Sequence, residues 1–352
     1  MNDSTRAVSP ALTFDEAALS DYLRQHLPEA SGPWQVAQFK GGQSNPTYLL
    51  TNATGRRYVL RRKPPGKLLP SAHAVDREFR VMQALARAEF PVPRVHLLCT
   101  DEQVIGTAFY VMDHVDGRIF WDPLLPGMAP EERAAVFDAM NRTIAALHRI
   151  DPAAVGLADY GKPGAYIARQ VARWTQQYRA SETEPIAAMD RLIDWLPAHI
   201  PAGEETAIVH GDFRLDNLVF HPREPRVVAV LDWELSTLGH PLADFAYHCM
   251  AWRLEPGQFR GLLGGDLPAL GIPGEAAYVA RYCERTGRAP IAAADWEFYM
   301  AFNLFRLAAI LQGVLARALQ GNASSAQALD AGRRARPLAK AAWAQVERAF
   351  GH

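Results

Sequence analysis

The chain has 352 residues, of which 49% are hydrophobic and 21% are charged. These proportions are ordinary for a globular protein and exclude a largely disordered chain, and the length suits two domains or one large one. Lysine and arginine number 37 against 38 acidic residues, which gives a net charge of −1. A dedicated nucleic-acid-binding protein is usually clearly basic, so we expect no nucleic-acid partner.

Cysteine usage and apolar patterning both favour a cytoplasmic protein. Cys99, Cys249 and Cys283 are odd in number and widely spaced, which argues against a disulfide framework and suits a reducing compartment. Residues 1–10 lack the charged-then-apolar pattern of a signal peptide. The longest apolar stretch, 300–319, is interrupted by Asn, Gln and Arg, so it predicts a buried helix and no membrane partner.

The N-terminal third is predicted to be rich in strands. After a frayed tail, Thr13 and Glu16 have capping-box spacing and predict a helix from Phe14 to about His26. Short β-rich runs joined by a Gly-containing turn then predict a hairpin and further strands, with one helix inserted. The predicted strands are Trp34–Phe39, Tyr48–Thr51, Arg57–Arg62, Val95–Cys99 and Thr107–Asp113, and the inserted helix covers about His73 to Ala88.

From about residue 114 the pattern becomes mainly helical. One β-rich island, Ala207–Trp233, interrupts it and is predicted to form a hairpin. We therefore predict an α+β fold with a small β-rich N-terminal lobe over residues 1–113 and a larger helical C-terminal lobe over 114–352. The predicted helices are Pro130–Arg149, Ala165–Arg179, Pro185–Leu196, Pro241–Trp252, Glu275–Arg285, Ala294–Leu319 and Ser324–Phe350.

The β-rich island carries the motif with the most specific chemistry. His210, Asp212 and Asn217 have the spacing H-x-D-x-x-x-x-N of a kinase catalytic loop, and Asp232 follows the next apolar strand. Phosphoryl transfer needs a carboxylate that accepts or orients the acceptor hydroxyl, and we predict that Asp212 has this role. It also needs oxygen ligands for Mg²⁺, which we predict to be Asn217 and Asp232. Simple turn capping by Asp212 and Asn217 is the alternative interpretation.

These motifs resemble those of the aminoglycoside-phosphotransferase-like kinases, a superfamily that includes choline, homoserine and fructosamine kinases. Their catalytic loop typically reads H-G-D-x-x-x-x-N, as it does here. Residues 58–73, 76–79 and 231–244 look like the kinase domain that is joined to acyl-CoA dehydrogenases in some eukaryotic proteins. The resemblance covers about residues 35–350. It implies a bilobal protein-kinase-like fold and a kinase that uses ATP and Mg²⁺.

The resemblance also implies a nucleotide site in the N-terminal lobe. Arg61 stands where the family has a phosphate-binding lysine, and strand alternation places Val59 and Arg61 on one face, with Arg62 as the alternative. Glu78, on the following helix, is the expected ion-pair partner of Arg61. The family's nucleotide-covering loop corresponds to Gly41, Gly42, Gln43, Ser44 and Asn45.

The resemblance gives other residues supporting roles. Asp113 and Val115 look like part of the hinge whose backbone contacts adenine. His210 is expected to brace the catalytic loop by hydrogen bonds, and Asp244, at a helix start, is expected to support the same loop. Glu234 stays open between a water-mediated metal contact and no role.

The acceptor is the part that the sequence determines least. From Met250 onward twelve Arg and Lys residues stand against eight Asp and Glu residues, which suits an anionic acceptor better than a polycationic aminoglycoside. The resemblance implies a hydroxyacyl-CoA acceptor, notably a 4-hydroxyacyl-CoA, and an acyl-CoA dehydrogenase partner. The open alternatives are a kinase of an amino alcohol, sugar or aminoglycoside, and a pseudokinase that binds a nucleotide or acyl-CoA. Acyl-CoA dehydrogenase activity itself is not expected, because it needs a further flavin-binding domain.

Overall fold

The computed structural model of the chain describes residues 5–27, 33–40, 45–66, 73–256, 260–321 and 328–351. The chain divides into two compact units. The first consists of Met1–Arg118 with Asn217–Ser236, and the second of Ile119–Asp216 with Thr237–His352. The first unit thus includes residues 217–236, whereas the predicted boundary after residue 113 places them in the C-terminal lobe.

The first unit is built on a six-stranded antiparallel sheet with the strand order β1-β2-β3-β4-β6-β5. The strands are β1 (Thr5–Arg6), β2 (Gln35–Phe39), β3 (Thr47–Thr51), β4 (Arg57–Arg62), β5 (Val95–Cys99) and β6 (Phe109–Asp113). Two helices accompany the sheet, α1 (Glu16–His26) and α2 (Val75–Arg87). Helix α2 packs against β5 and β6.

The two faces of β4 have different surroundings, because successive side chains of a strand point to opposite sides. Tyr58 and Leu60 lie in an apolar cluster with the buried leucines of α1. Arg62 shares this face, where its guanidinium lies 5.2 Å from the centre of the Phe14 ring. The opposite face is left for Arg61, as the alternation predicts.

The N-terminal segment differs from the prediction in two respects. Thr5–Arg6 forms strand β1, which pairs with β2, in place of the predicted frayed tail. Helix α1 begins at Glu16, and its N-cap is Asp15, whose Oδ1 accepts from the N–H groups two and three residues later at 2.9 Å. The predicted capping box is wrong, because Asp15 satisfies these amides while the Thr13 hydroxyl donates to an earlier carbonyl.

Two antiparallel strand pairs replace the single hairpin predicted for Ala207–Trp233. In the first unit β8 (Leu218–Phe220) pairs with β9 (Val227–Val230). In the second unit β7 (Ala207–Val209) pairs with β10 (Thr237–Gly239), a strand that the sequence did not reveal. Three-residue strands carry too little alternation to be recognised from sequence.

The second unit is mainly helical. Its helices are α3 (Pro130–Arg149), α4 (Tyr166–Ser181), α5 (Ala187–Ala198), α6 (Pro241–Cys249), α7 (Leu267–Leu270), α8 (Glu275–Thr286), α9 (Ala293–Leu319), α10 (Ala328–Gly332) and α11 (Ala335–Phe350). A 3-10 turn over Met250–Arg253 replaces the end of the helix predicted for Pro241–Trp252. The helix predicted for Ser324–Phe350 is two helices, and its first four residues lie outside the described part. The other predicted elements agree with the structure within about two residues at each end.

Helix α9 lies at the centre of the second unit and packs against α4, α5, α6, α10 and α11. Among the described residues it is the one helix that is long and apolar enough to cross a membrane, by length and composition alone. However, 72% of its most apolar window is buried inside the protein. The prediction of a buried helix in this stretch is confirmed, while the cytoplasmic location stays a prediction.

Gly117 lies where two backbone segments of the first unit approach closely. Arg118 forms an isolated antiparallel bridge with Phe220, in which each N–H donates to the other residue's carbonyl at 2.8 Å. A Cβ atom at position 117 would stand 2.3 Å from the Phe220 carbonyl oxygen and 2.4 Å from Cγ1 of Val219. The bridge therefore requires glycine at this position.

We expect Gly117→Ala to lower the free energy of unfolding by about 1–3 kcal/mol, because the backbone at Phe220 must move to admit the methyl group. Gly313→Ala is the matched control. A Cβ at 313 meets Arg317 Nη1 at an ordinary 3.6 Å, so alanine there should stabilise α9 by about 0.5–1 kcal/mol. Urea unfolding followed by circular dichroism measures both, and an unchanged stability for Gly117→Ala would contradict the close approach.

Candidate functional site

The predicted site residues divide between the two units. Those of the first unit are Asn45, Arg61, Glu78, Asp113, Val115, Asn217 and Asp232, and Asp212 belongs to the second. The predicted loop residues Gly41, Gly42, Gln43 and Ser44 lie outside the described residues.

Arg61 of β4 is the centre of a buried charge cluster in the first unit. Its Nε lies 2.9 Å from Oε2 of Glu78 on α2, and the two side chains are 10% and 1% exposed. Its Nη2 donates to Oδ1 of Asp232 at 2.7 Å and to Oε2 of Glu234 at 3.3 Å. The predicted ion pair between Arg61 and Glu78 is therefore present. Glu234, whose role the sequence leaves open, is a third partner of Arg61.

The surroundings of Arg61 preserve its charge. Burial by itself lowers the pKa of Arg61, since it disfavours the charged form, but the carboxylates of Glu78, Asp232 and Glu234 outweigh burial and raise that pKa overall. Burial is the largest influence on Glu78 and raises the pKa of its carboxyl, while the charge of Arg61 opposes that rise.

Two polar side chains fix Glu78 from its other side. Asn45 is fully buried and donates from Nδ2 to Oε1 of Glu78 at 2.7 Å, while its Oδ1 lies 3.0 Å from Nδ1 of His73. Tyr110 donates its hydroxyl to Oε2 of Glu78 at 3.0 Å. Asn45, the described end of the predicted nucleotide-covering loop, is thus tied to the same carboxylate that pairs with Arg61.

Asn217 and Asp232 lie at the same end of the β8–β9 pair. Leu218 pairs with Val230, and the N–H of Leu231 donates to the carbonyl of Asn217 at 2.8 Å. Asp232 has a left-handed backbone φ of +64°, a conformation that costs energy in a non-glycine residue and recurs at functional sites. An amide oxygen and a carboxylate oxygen are ligands that Mg²⁺ prefers, so this donor set fits the metal that the resemblance implies.

No group of three or more His, Cys, Asp or Glu side chains that could hold a metal ion occurs in the described ranges. A magnesium ion at Asn217 and Asp232 would therefore need oxygens from another source to complete its coordination. Nucleotide phosphates commonly supply them, since Mg²⁺ is usually bound by one or two protein carboxylates together with phosphates and water.

Asp113 and Val115, the predicted hinge residues, lie at and just beyond the end of β6. The N–H of Asp113 donates to the carbonyl of Arg94 at 2.9 Å, and its Oδ1 lies 2.7 Å from Nε2 of His96. Asp113 is therefore held in position through both its backbone and its side chain. Contact of these two residues with adenine stays a prediction.

The loop that carries Asp212 follows β7 and is held by Asp244 of α6. The N–H groups of His210 and Gly211 both donate to the Asp244 carboxylate at 2.8 Å. His148 of α3 lies 3.2 Å from the same carboxylate. Burial raises the pKa of Asp244, but hydrogen bonding and charge from His148 and His210 outweigh it, so the pKa is lowered and the carboxylate stays ionised. The supporting role predicted for Asp244 is confirmed.

Three side chains that the sequence did not single out surround Asp212. Arg214 places Nε 2.8 Å from Oδ1 and Nη2 3.0 Å from Oδ2 of Asp212, and the Tyr247 hydroxyl donates to Oδ1 at 2.7 Å. Arg306 of α9 donates to the carbonyl of the residue before Asp212 at 2.8 Å. Tyr247 follows Asp244 by three residues on one helix, so the helical period could have indicated it. Arg306 lies 95 residues from its partner and has no local signal.

A cavity of about 60 Å³ lies in the second unit, and Arg214 and Tyr247 contribute to its wall. Most of the remaining wall is apolar or aromatic, including Trp121, Phe137, Met140, Leu215, Met250 and Trp252. Its other charged residues are Asp216 and Arg260, which pair with each other, and the Arg260 guanidinium lies 5.2 Å from the ring centre of Trp121. The cavity has room for roughly four or five water-sized groups, which suits the reacting end of an acceptor rather than a whole large molecule.

Residues 35–302 match the family model described as "Phosphotransferase enzyme family", which covers well over half of the chain. The chain therefore belongs to the phosphotransferase enzyme family. The predicted family resemblance and the α+β fold, with an antiparallel-sheet N-terminal part and a helical C-terminal part, are confirmed.

Three similar proteins illustrate the range of the family. Acyl-CoA dehydrogenase family member 10 of Mus musculus is 51% identical over 97% of this chain, but the match covers only 32% of that longer protein. A crystal structure from Ralstonia eutropha JMP134, provisionally described as an aminoglycoside phosphotransferase, is 58% identical with a TM-score of 0.87, covering 96% of this chain and 99% of that one. Spectinomycin phosphotransferase APH(9)-Ia, solved with ADP and spectinomycin, has a TM-score of 0.61 over 96% and 99% of the two chains. At 10% identity the last comparison shows the fold alone.

His248, which lines the 60 Å³ cavity of the second unit, should make the free energy of unfolding depend on pH. His248 is buried on α6, where its Nε2 lies 2.7 Å from the Tyr278 hydroxyl, and burial lowers its pKa to about 4. Because the unfolded chain binds this proton near pH 6.5, stability should be full above pH 6.5 and fall as the pH drops toward 4, by on the order of 3 kcal/mol. His240 has a pKa lowered to about 4, also mainly by burial, and should add a similar loss.

We therefore expect His248→Gln to lose less stability than the parent chain between pH 7 and pH 4.5. The exposed His26 on α1, which lies outside the cavity wall, supplies a matched His→Gln substitution as a control. Urea unfolding at a series of pH values makes the comparison. Parallel profiles for His248→Gln and the parent chain would show that the buried imidazole does not resist protonation.

Proposed function

We propose that the protein transfers the γ-phosphoryl group of ATP to a hydroxyl of a small molecule, with Mg²⁺ as cofactor. The carrying observation is the arrangement around Asp212, whose carboxylate is bound by two side chains from the cavity wall on a loop that Asp244 anchors. Membership of the phosphotransferase family supports this reading. A kinase needs such a carboxylate at a site where a small hydroxyl compound can enter.

In this proposal the hydroxyl oxygen of the acceptor forms a bond to the γ-phosphorus of ATP, and ADP leaves. Asp212 accepts the proton that this hydroxyl loses. Arg214 lies beside both oxygens of that carboxylate and helps to hold it in place. A prearranged carboxylate lowers the barrier because no reorganisation is needed when the proton moves. General-base catalysis of this kind typically contributes 10²- to 10⁴-fold in rate.

The first unit is proposed to bind the nucleotide. Arg61, kept charged by its carboxylate partners, supplies a phosphate contact, and Asn217 and Asp232 hold Mg²⁺ through oxygen atoms. When bound there, Mg²⁺ would offset the negative charge of the phosphates. The backbone near Asp113 and Val115 is proposed to contact adenine.

For the acceptor we propose a hydroxyacyl-CoA, and specifically a 4-hydroxyacyl-CoA, with an acyl-CoA dehydrogenase as a functional partner. The apolar wall of the cavity suits an acyl chain, and Arg214 and Arg260 suit an anionic compound. Acyl-CoA dehydrogenase family member 10 has a name consistent with this class of substrate. The match with this chain covers about a third of that relative's length.

A kinase of amino alcohols, sugars or aminoglycosides is the second candidate. A polycationic acceptor should meet a surplus of carboxylates, whereas Asp216 in the cavity wall is paired with Arg260 and lies 3.6 Å from Arg214. A pseudokinase would be expected to lack one of the three residues Asp212, Asn217 and Asp232, and all three are present.

The decisive experiment incubates the protein with Mg·ATP and a 4-hydroxyacyl-CoA and searches for a product heavier by one phosphoryl group by mass spectrometry. Asp212→Ala should reduce this product by 10²- to 10⁴-fold and leave ATP binding by calorimetry within about twofold. Asp194→Ala, an exposed aspartate on α5, is the control and should keep full activity. Full turnover in Asp212→Ala would refute the base assignment. ATP binding without any acyl-CoA product would redirect the search to amino alcohols and sugars.

We further expect Arg260→Gln to raise KM for the acyl-CoA about tenfold and to leave KM for ATP unchanged, since one charge-assisted contact to an anionic acceptor is lost. Arg317→Gln, at an exposed position near the end of α9, controls for the change in net charge. Initial rates over both substrate concentrations give the two constants. An equal rise in both KM values would mean that Arg260 acts on the fold rather than on the acceptor.

A further inference from the structure

The hydroxyl of Tyr247 forms a hydrogen bond with the carboxylate of Asp212, which is proposed as the catalytic base. It donates to Oδ1 of Asp212 at 2.7 Å, and the ring that carries it forms part of the cavity wall. We infer that Tyr247 is a positioning residue that holds the Asp212 carboxylate in its reactive orientation at the edge of the cavity. The inference rests on the proposed function, because it takes Asp212 as the base.

Tyr247 is a permanent donor at this site. Its side chain is buried, and burial together with the negative charge of Asp212 raises the pKa of the phenol. The hydroxyl therefore keeps its proton throughout the working pH range and can only donate to the carboxylate oxygen. A fixed donor of this kind selects one orientation of the carboxylate among those that the side chain could otherwise adopt.

The ring of Tyr247 is itself fixed to the loop that it serves. Arg306 lies with its guanidinium 4.9 Å from the ring centre and donates to the carbonyl of Gly211 at 2.8 Å. Asp244, one helical turn before Tyr247 on α6, accepts from the N–H of that same glycine. The peptide next to Asp212 and the phenol that bonds its carboxylate are therefore held by one connected set of groups, all within the second unit.

Arg214 and Tyr247 make different contacts with the Asp212 carboxylate. Arg214 contacts both carboxylate oxygens and supplies positive charge, whereas Tyr247 contacts one oxygen and supplies direction. Removing the hydroxyl should leave the contacts of Arg214 in place but the carboxylate less well oriented. Misplacement of a reacting group by about 1 Å costs up to roughly 10²-fold, so we expect a loss in kcat of about 10- to 100-fold with little change in nucleotide binding.

The test uses Tyr247→Phe, which keeps the ring against Arg306 and removes only the hydroxyl. Tyr178→Phe is the control, because Tyr178 is a fully buried tyrosine of α4 in the same unit, with its ring against Arg179. Transfer from Mg·ATP to the 4-hydroxyacyl-CoA should fall in kcat for Tyr247→Phe only, with KM for ATP unchanged. Thermal unfolding checks that both variants keep the fold.

A double-mutant cycle separates positioning from a structural effect. If Tyr247 acts through Asp212, then Tyr247→Phe should cause no further loss of the residual rate in an Asp212→Asn background. Losses that add in the double variant, or an unchanged kcat in the single one, would overturn the inference.

A second measurement does not depend on activity. The carboxyl ¹³C resonance of Asp212, assigned by its absence in Asp212→Asn, should shift in Tyr247→Phe and not in Tyr178→Phe. If the wild-type chain transfers phosphate to no alcohol tested, the proposed function fails as such. An unmoved Asp212 resonance in Tyr247→Phe refutes the positioning contact whatever the activity.

Discussion

The position of the Asp212 loop in the second unit depends on the hydrogen bonds that the buried carboxylate of Asp244 accepts. A buried charge is costly unless it is fully hydrogen-bonded, and here the backbone N–H groups of His210 and Gly211 and one imidazole meet that need. The same bonds that stabilise the charge also fix the loop against α6. Tyr247 lies one turn further along that helix and donates to the Asp212 carboxylate. Helix α6 therefore holds both the backbone of the loop and the side chain of Asp212.

The first unit shows the same principle with a buried cation. An arginine at position 61 can contact Glu78 through Nε and both Asp232 and Glu234 through Nη2, because its donors spread over a planar fork. A lysine has one nitrogen and could not span these partners in the same way. The fork of Arg61 therefore suits this position, where three carboxylates on two different segments converge on one side chain.

The chemistry of the second unit follows from what lines its cavity. Asp216 pairs with Arg260, Arg214 pairs with the Asp212 carboxylate, and most of the remaining wall is apolar and aromatic. Such a wall is compatible with the proposed acceptor, a compound that has a hydrocarbon portion. Family membership defines a phosphotransferase, whereas in the proposed function the choice of acceptor depends on these wall residues, three of which (Arg214, Leu215 and Asp216) lie within the motif of residues 210–217.

The sequence by itself determined the family, the order of most helices and strands, and the identity of Asp212, Asn217, Asp232, Arg61 and Glu78 as candidate site residues. These features depend on local periodicity and on motif spacing, which the linear order of residues retains. The sequence did not reveal the short strands β1 and β10, the Asp15 cap, or the roles of Tyr247, Glu234 and Arg306. Strands of two or three residues form only when a distant partner supplies their hydrogen bonds, and the contact of Arg306 with the carbonyl of Gly211 joins residues 95 positions apart. Such contacts can be seen only in the tertiary structure. Their energy comes from burial and hydrogen bonding between distant segments, and the local sequence of one segment does not identify the other.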